Sequence, residues 1–202
     1  MNWSPTVCDG DVTLRLIRQR DAGEWREVRR RSREWLQPWE ASLPPEASLV
    51  TDAPATFGQM VRRMRRDARA GRALPWAILV DGRLAGQLTV GGITYGSLRS
   101  AYIGYWIDKD LAGRGIMPTA VAMACDYCLD VMRLHRIEIN IRPENTASLR
   151  VVEKIGLRKE GDRPKYLHID GDWRDHVTHV VMAGEFPEGV LSRLRARQAS
   201  AT

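Results

Sequence analysis

The run DLAGRGIMPTA (110–120) limits what this chain can fold into more than any other stretch. Gly113 and Gly115 flank Arg114, and Pro118 follows shortly after. Proline favours the first turn of a helix, because its fixed φ suits the start and its missing N–H is not needed there. The amides of 113–117 then precede or open that helix, where backbone N–H groups lack internal partners. Such an end attracts a phosphate group. Glycines remove the Cβ atoms that would hold an anion away, and Arg114 adds a mobile positive charge. The run therefore reads as a phosphate cradle between a strand and a helix.

Neither of two familiar cradles matches it. A P-loop ends in Gly-Lys-Ser/Thr, and GRGIMPT has no lysine. A dinucleotide fingerprint needs a third glycine, a parallel strand opening the domain, and an acid ~20 residues on. Here Pro118 takes the place of the third glycine, and the strand before it, SAYIGYWID (100–108), closes an antiparallel meander.

The rest of the chain supplies that meander and its cover. GDVTLRLIRQRD (10–21) alternates as a strand, ends at Asp21 as a helix cap, and AGEWREVRRRSREWL (22–36) follows as a helix. Residues 37–54 hold four prolines and read as a loop; 54–71 place Phe57, Met60, Val61, Met64 and Ala68 at helical spacing opposite an arginine face. LPWAILVDGRLAGQLTVGGIT (74–94) is a hairpin turning at Asp81-Gly82. PTAVAMACDYCLDVM is a helix, HRIEINIRP (135–143) a strand, and NTASLRVVEKIG (145–156) a helix capped by Asn145 and stopped by Gly156. KYLHIDGDWRDHVTHVVMAG (165–184) is a last hairpin turning at Asp170-Gly171. One domain over 1–186 is expected, with 187–202 as a basic C-terminal tail.

Composition narrows the function classes. Among 202 residues, hydrophobic content is 44% and charged content 28%, the balance of a soluble globular chain. No apolar run approaches the ~20 residues of a membrane span, and the N-terminus lacks the basic and apolar regions of a signal peptide. Cytoplasmic location is the expectation. The net charge of +6 gathers in REVRRRSREW, RRMRRDARAGR and LSRLRARQ. These runs are compatible with nucleic acid, the ribosome or an anionic cofactor, and equally with solvated helix faces. Cys125 and Cys128 lie at i and i+3 of a helical pattern, and no second such pair completes a zinc site. No metal is expected.

The strand AYIGYWID, the GRGI helix start, the strand RIEINI and the segment NTASLRVVEKIGL together resemble the core of the GCN5-related N-acetyltransferases, the GNAT family. In that family a Q/R-x-x-G-x-G/A loop binds the pyrophosphate of acetyl-coenzyme A. The loop here reads DLAGRG, with Asp110 in place of the usual Gln or Arg. REWLQPWEAS and KYLHIDGDWRDHV are similar to segments that bracket the core in ribosomal-protein-alanine N-acetyltransferases of the RimJ type, and the likeness runs over roughly residues 10–182.

The resemblance implies an α/β (α+β) fold: a mixed sheet of about seven strands, mostly antiparallel, with about four helices and a splayed strand pair holding acetyl-CoA. It implies that Trp106, Ile107 and Asp108 lend main-chain groups, with a donor near Ile107 for the oxyanion. Gly113, Arg114, Gly115, Ile116 and Met117 would cradle the pyrophosphate. Asn145 and Ser148 would contact the coenzyme, and Ser148 would act as general acid toward the leaving thiolate; both also read as a helix cap and an N3 residue. Glu138 is the candidate base, acting through a water, and reads equally as an exposed strand glutamate. Tyr166 and His168 are its rivals and candidate substrate contacts. Trp35 and Trp39, beside Glu34 and Glu40, form an acceptor groove or a packed hinge.

The function implied is acetyl-CoA-dependent acetylation of a protein N-terminal α-amine, a ribosomal protein's among them. The partners are a protein or peptide N-terminus, the ribosome through the basic runs, and a second copy in a homodimer; no membrane is involved. A small-molecule acetyltransferase for antibiotics or polyamines is the nearest alternative, and a noncatalytic ribosome- or RNA-binding module is the alternative of another class.

Overall fold

A computed structural model describes residues 5–49 and 56–200. Its centre is an eight-stranded sheet: β1 (Thr6–Asp9), β2 (Val12–Leu16), β3 (Leu74–Val80), β4 (Arg83–Thr94), β5 (Ser100–Ile107), β6 (Arg136–Ile141), β7 (Arg158–Ile169) and β8 (Asp172–Met182). The spatial order is β1-β2-β3-β4-β5-β6-β8-β7. Every neighbouring pair is antiparallel except β5 and β6. The helices are α1 (Ala22–Arg31), α2 (Arg33–Leu36), α3 (Phe57–Arg69), α4 (Ile116–Asp126), α5 (Thr146–Ile155) and α6 (Val190–Ala199).

Strand alternation builds two cores. In β3, Leu74, Trp76 and Ile78 look to one face, where α4, α5 and α6 pack. Ala77 and Leu79 look to the other, which Val28 of α1 and Val61 of α3 cover. The apolar run LPWAILV is thus buried on both sides, as a strand sandwiched between helix layers must be. Asp81-Gly82 and Asp170-Gly171 turn their hairpins with positive φ at both residues, the twist-matched two-residue geometry.

The sheet has one strand more than the sequence suggests, because β1 and β2 form a hairpin of their own around Gly10. Among the described residues there are six α-helices rather than about four. The helix expected over 22–36 breaks at Ser32, which is fully buried and whose hydroxyl donates to Asp108 Oδ1 at 3.1 Å. The helix expected from 54 begins at Phe57, where Thr56 and Gln59 make a capping box; residues 54 and 55, like the loop residues 50–53, lie outside the described residues. The basic segment read as a tail carries α6, whose Val190 and Leu194 are buried in the main core. Asp126 fastens it, accepting from the Val190 and Leu191 amides at 2.6 and 3.0 Å.

Cys125 and Cys128 are both buried on α4 and the turn after it, while Cys8 is exposed. Burial pushes the Cys128 thiol up to about 12 and the Cys125 thiol well above its usual value. Both therefore stay protonated and inert. Titration with a thiol reagent should modify one cysteine in the folded chain and three after unfolding; prompt labelling of a second would contradict this packing.

Candidate functional site

The parallel pairing of β5 with β6 lasts only from Ser100 to Tyr102. Beyond Tyr102 the two strands diverge, and β5 stays attached to β4 alone through Gly86↔Ile107 and Gln87↔Trp106. Gly86 permits this approach: a Cβ there would stand 2.3 Å from the Trp106 carbonyl oxygen. The divergence opens a cleft of about 500 Å³. Its walls are Tyr105, Trp106 and Ile107 of β5, residues 111–113 and 115–118, Trp35, Leu36 and Trp39, the α5 cap Asn145, and Ala147, Ser148, Arg150, Val151 and Lys154 of α5.

The glycine run forms the floor as the sequence requires. Gly113 and Gly115 have φ of +84° and +81°, in the left-handed region, and Gly115 caps α4. Thr119 is the first amide to bond back, to the Gly115 carbonyl at 3.2 Å. The amides of Ile116 and Met117 thus open the helix without intrahelical acceptors. The approach to the floor is locked by Arg31, whose guanidinium pairs with the buried Asp108 carboxylate, its Nε standing 3.0 and 3.1 Å from the two oxygens. Asp110, at the position where the resemblance expects Gln or Arg, stands 3.7 Å from the same Arg31 Nε. Its side chain answers to Arg31 of α1.

On the far wall, Asn145 Oδ1 accepts from the Ser148 amide at 3.0 Å, so the cap predicted for α5 is formed. The Ser148 hydroxyl lies 2.7 Å from the Tyr105 hydroxyl. Burial pushes the Tyr105 phenol well above its usual value, against the opposing bond from Ser148. Both hydroxyls stay protonated, so either can donate in this bond while the other keeps its hydrogen for a further acceptor. Trp39 is held by Arg142, whose guanidinium lies 5.3 Å from the ring centroid and donates to the Pro38 carbonyl at 2.8 Å. Trp106 packs edge-on to Trp25 and under Arg29.

Of the residues the sequence singles out, Trp35, Trp39, Trp106, Ile107, Gly113, Gly115, Ile116, Met117, Asn145 and Ser148 meet at this cleft. Five do not line it. The Asp108 amide is used by the Ala85 carbonyl at 2.8 Å, and its side chain by Arg31. Arg114 opens onto a neighbouring hollow beside Asp9, Asp11 and Arg195. Glu138 is taken by Arg136 at 2.9 Å and by Arg163, which reaches across from β7, at 2.7 Å. His168 is a latch, bonded to Ser42 at 2.9 Å, and Tyr166 stacks on His176 and Arg163. Burial lowers the His176 and His179 side chains. Glu40 pairs with Arg29, so the acidic groove expected beside the tryptophans is absent from the cleft lining. No Asp, Glu or His lines the cleft among the described residues, and no group of three or more metal-ligating side chains occurs there or elsewhere among them.

Sequence reasoning missed Tyr105, Arg150 and Lys154. Tyr105 shares a strand face with Ala101 and Ile103, which are buried. A tyrosine on a core face needs a partner for its hydroxyl, and that was the available signal. Arg150 and Lys154 stand one turn apart on α5, so both point to one side and supply the cationic wall that Arg114 does not.

Comparison with known proteins places this geometry. A model of the acetyltransferase (GNAT) domain matches residues 11–158. The structure of Mycobacterium smegmatis RimJ in complex with CoA-disulfide is 40% identical, covers 97% of this chain and 96% of that one, and superposes with a TM-score of 0.89. The [ribosomal protein uS5]-alanine N-acetyltransferase of Escherichia coli K12 is 28% identical over 180 residues, covering 88% of this chain and 91% of that protein. The probable N-acetyltransferase YjcK of Bacillus subtilis 168 is 45% identical over 102 residues, half of this chain and 56% of that protein.

Proposed function

This chain belongs to the GNAT acetyltransferase family and is an acetyl-CoA-dependent N-acetyltransferase, and from that premise we propose that its acceptor is the N-terminal α-amine of a protein, of the ribosomal-protein-alanine kind. The observation that carries the acceptor class is the composition of the cleft: aromatic, hydroxyl and cationic side chains, with no carboxylate or imidazole among the described lining residues. An α-amine with a pKa of ~7.7–8.0 is roughly one-quarter neutral near pH 7.4, whereas an ε-amine or polyamine near ~10.4 is neutral to only ~0.1%. The α-amine can be taken from solution already deprotonated. A polyamine would need carboxylates to bind its charges and a base to remove a proton.

The cleft suits acetyl-CoA by its donor set. Gly113, Gly115, Ile116 and Met117 would hold its pyrophosphate on free amides, with Arg150 and Lys154 beside them. When bound, it supplies the activated acetyl thioester. The open edge of β5 at Trp106 and Ile107 offers main-chain groups to an amide-bearing ligand and a donor to a developing oxyanion. Ser148, held by the Tyr105 hydroxyl, hydrogen-bonds or protonates the departing sulfur. Trp35 and Trp39 enclose the acceptor's first residue.

A panel of acceptors tests the reading. Peptides with a free N-terminal alanine should give at least tenfold higher kcat/KM than the same peptides N-terminally blocked with an internal lysine, than spermidine, or than aminoglycosides. The ascending limb of the pH profile should follow the acceptor, near pH ~8 for a peptide. Preference for spermidine, or a limb unmoved by the acceptor's pKa, would overturn it.

A further inference from the structure

Eleven of the arginines pair with a carboxylate among the described residues, and six of those that do not lie on one surface. In the turn before α1, Arg20 is exposed and Arg18 half-buried; on α3, Arg62, Arg66 and Arg69 are exposed and Arg65 half-buried. None of these six makes an ion pair among the described residues, whereas their neighbours Arg15 and Arg72 pair with Asp21 and Asp67. The turn is held on the helix by Gln19, whose amide donates to the Gly58 carbonyl at 2.9 Å, so the two sets of guanidiniums share one surface. Arg62, Arg65, Arg66 and Arg69 recur at helical spacing and form a stripe along α3. The Arg18 side chain is depressed by desolvation and then by Arg15, Arg20 and Arg65, so the cluster feels its own repulsion. None of the six lines the catalytic cleft.

We infer that this arginine surface docks on the phosphate backbone of structured RNA. Guanidinium forks match phosphate oxygens, and a polyanion relieves the repulsion stored in the cluster. No aromatic side chain lies in the stripe, which favours a folded backbone over stacked single-stranded bases. A membrane surface is disfavoured because an interfacial helix inserts an apolar face. The apolar face of α3 is already spent: Val61 and Ala68 are buried against the sheet, and no large hydrophobic residue of α3 is exposed. The choice of RNA over DNA rests on the proposed acceptor, since a ribosomal-protein N-terminus is presented beside RNA. The surface would let the enzyme hold the carrier of its substrate while the cleft takes the amine.

The test uses the full chain and a fluorescent RNA duplex, titrated by anisotropy at several salt concentrations. A triple variant, Arg62→Gln, Arg66→Gln and Arg69→Gln, is compared with Arg158→Gln, Lys159→Gln and Lys165→Gln, which removes the same charge from exposed positions of β7. The α3 triple should weaken binding at least 30-fold near ~100 mM salt and flatten the log K against log salt slope by about 3, close to ~0.9 per lost contact. The β7 triple should cost no more than threefold, and both should acetylate a free peptide at the parent rate. No binding by the parent chain, equal loss in the two triples, equal affinity for a DNA duplex of the same length, or tighter binding to phosphatidylserine vesicles would each overturn the inference. Failure of the acceptor panel with intact RNA binding would instead overturn only the assignment of the acceptor.

Discussion

Ser148→Ala lowers kcat for acetyl transfer by about 100-fold, the usual size for loss of a positioned proton donor, and leaves coenzyme affinity within about threefold. The Ser148 hydroxyl is the one hydroxyl on the α5 lining of the cleft, and it is held by the Tyr105 hydroxyl at 2.7 Å. Tyr105→Phe removes the hydroxyl that positions Ser148 without removing the ring, so the serine hydroxyl is free to rotate. Its expected cost is about tenfold in kcat with KM for both substrates unchanged. The double variant is no slower than Ser148→Ala, because Tyr105 acts only through the serine. Because the phenol is held above its usual value by burial, neither variant moves the ascending pH limb. Additive losses, or a limb shifted by Tyr105→Phe, would show that the two hydroxyls do separate work.

Arg31→Met produces the largest loss of stability outside the apolar core. It strips the guanidinium from Asp108, whose side chain is 1% exposed and keeps only Ser32 and the Asp110 amide, at 3.1 and 3.3 Å. Breaking a buried pair from one side costs roughly 3 kcal/mol, which for a chain of this size lowers Tm by about 6–12 °C. The dependence on pH gives the sign. Burial pushes the Asp108 carboxyl up, but Arg31, the Asp110 amide and Ser32 outweigh it and hold the carboxyl below its usual range. Stability from this pair is therefore present above the unfolded value of ~3.9 and lost as pH falls through the lower folded value. Thermal unfolding should show parent and variant far apart at neutral pH and converging below about pH 4. An unchanged Tm at pH 7 would remove Arg31 from this role.

Local chemistry was legible in the sequence wherever a residue answers to its near neighbours. The Asp-Gly turns, the Asn145 cap, the Gly156 stop and the left-handed glycines of the cradle all depend on backbone within a few positions, and all are formed. The misread features depend on distant partners. Ser32 reads as an ordinary helical residue until Asp108, on the end of β5, takes its hydroxyl. Glu138 reads as available until Arg163 arrives from β7. Arg114 sits in the right loop, but a side chain beside a left-handed glycine can leave on either side, and the adjoining hollow claims it. The place of α6 had a signal that went unused. Residues 116–125 are apolar on every side, and a helix of that kind needs cover all round.

That cover sets an order of events during synthesis. The stretch 190–199 is made after every other element described, yet its Val190 and Leu194 complete the main core and its first amides donate to the half-buried Asp126. Until those residues leave the translating machinery, α4 keeps one apolar side open to water and the cradle at its start rests on an unfinished support. Sheet and cleft can therefore assemble on the nascent chain before the helix that covers α4 docks against it.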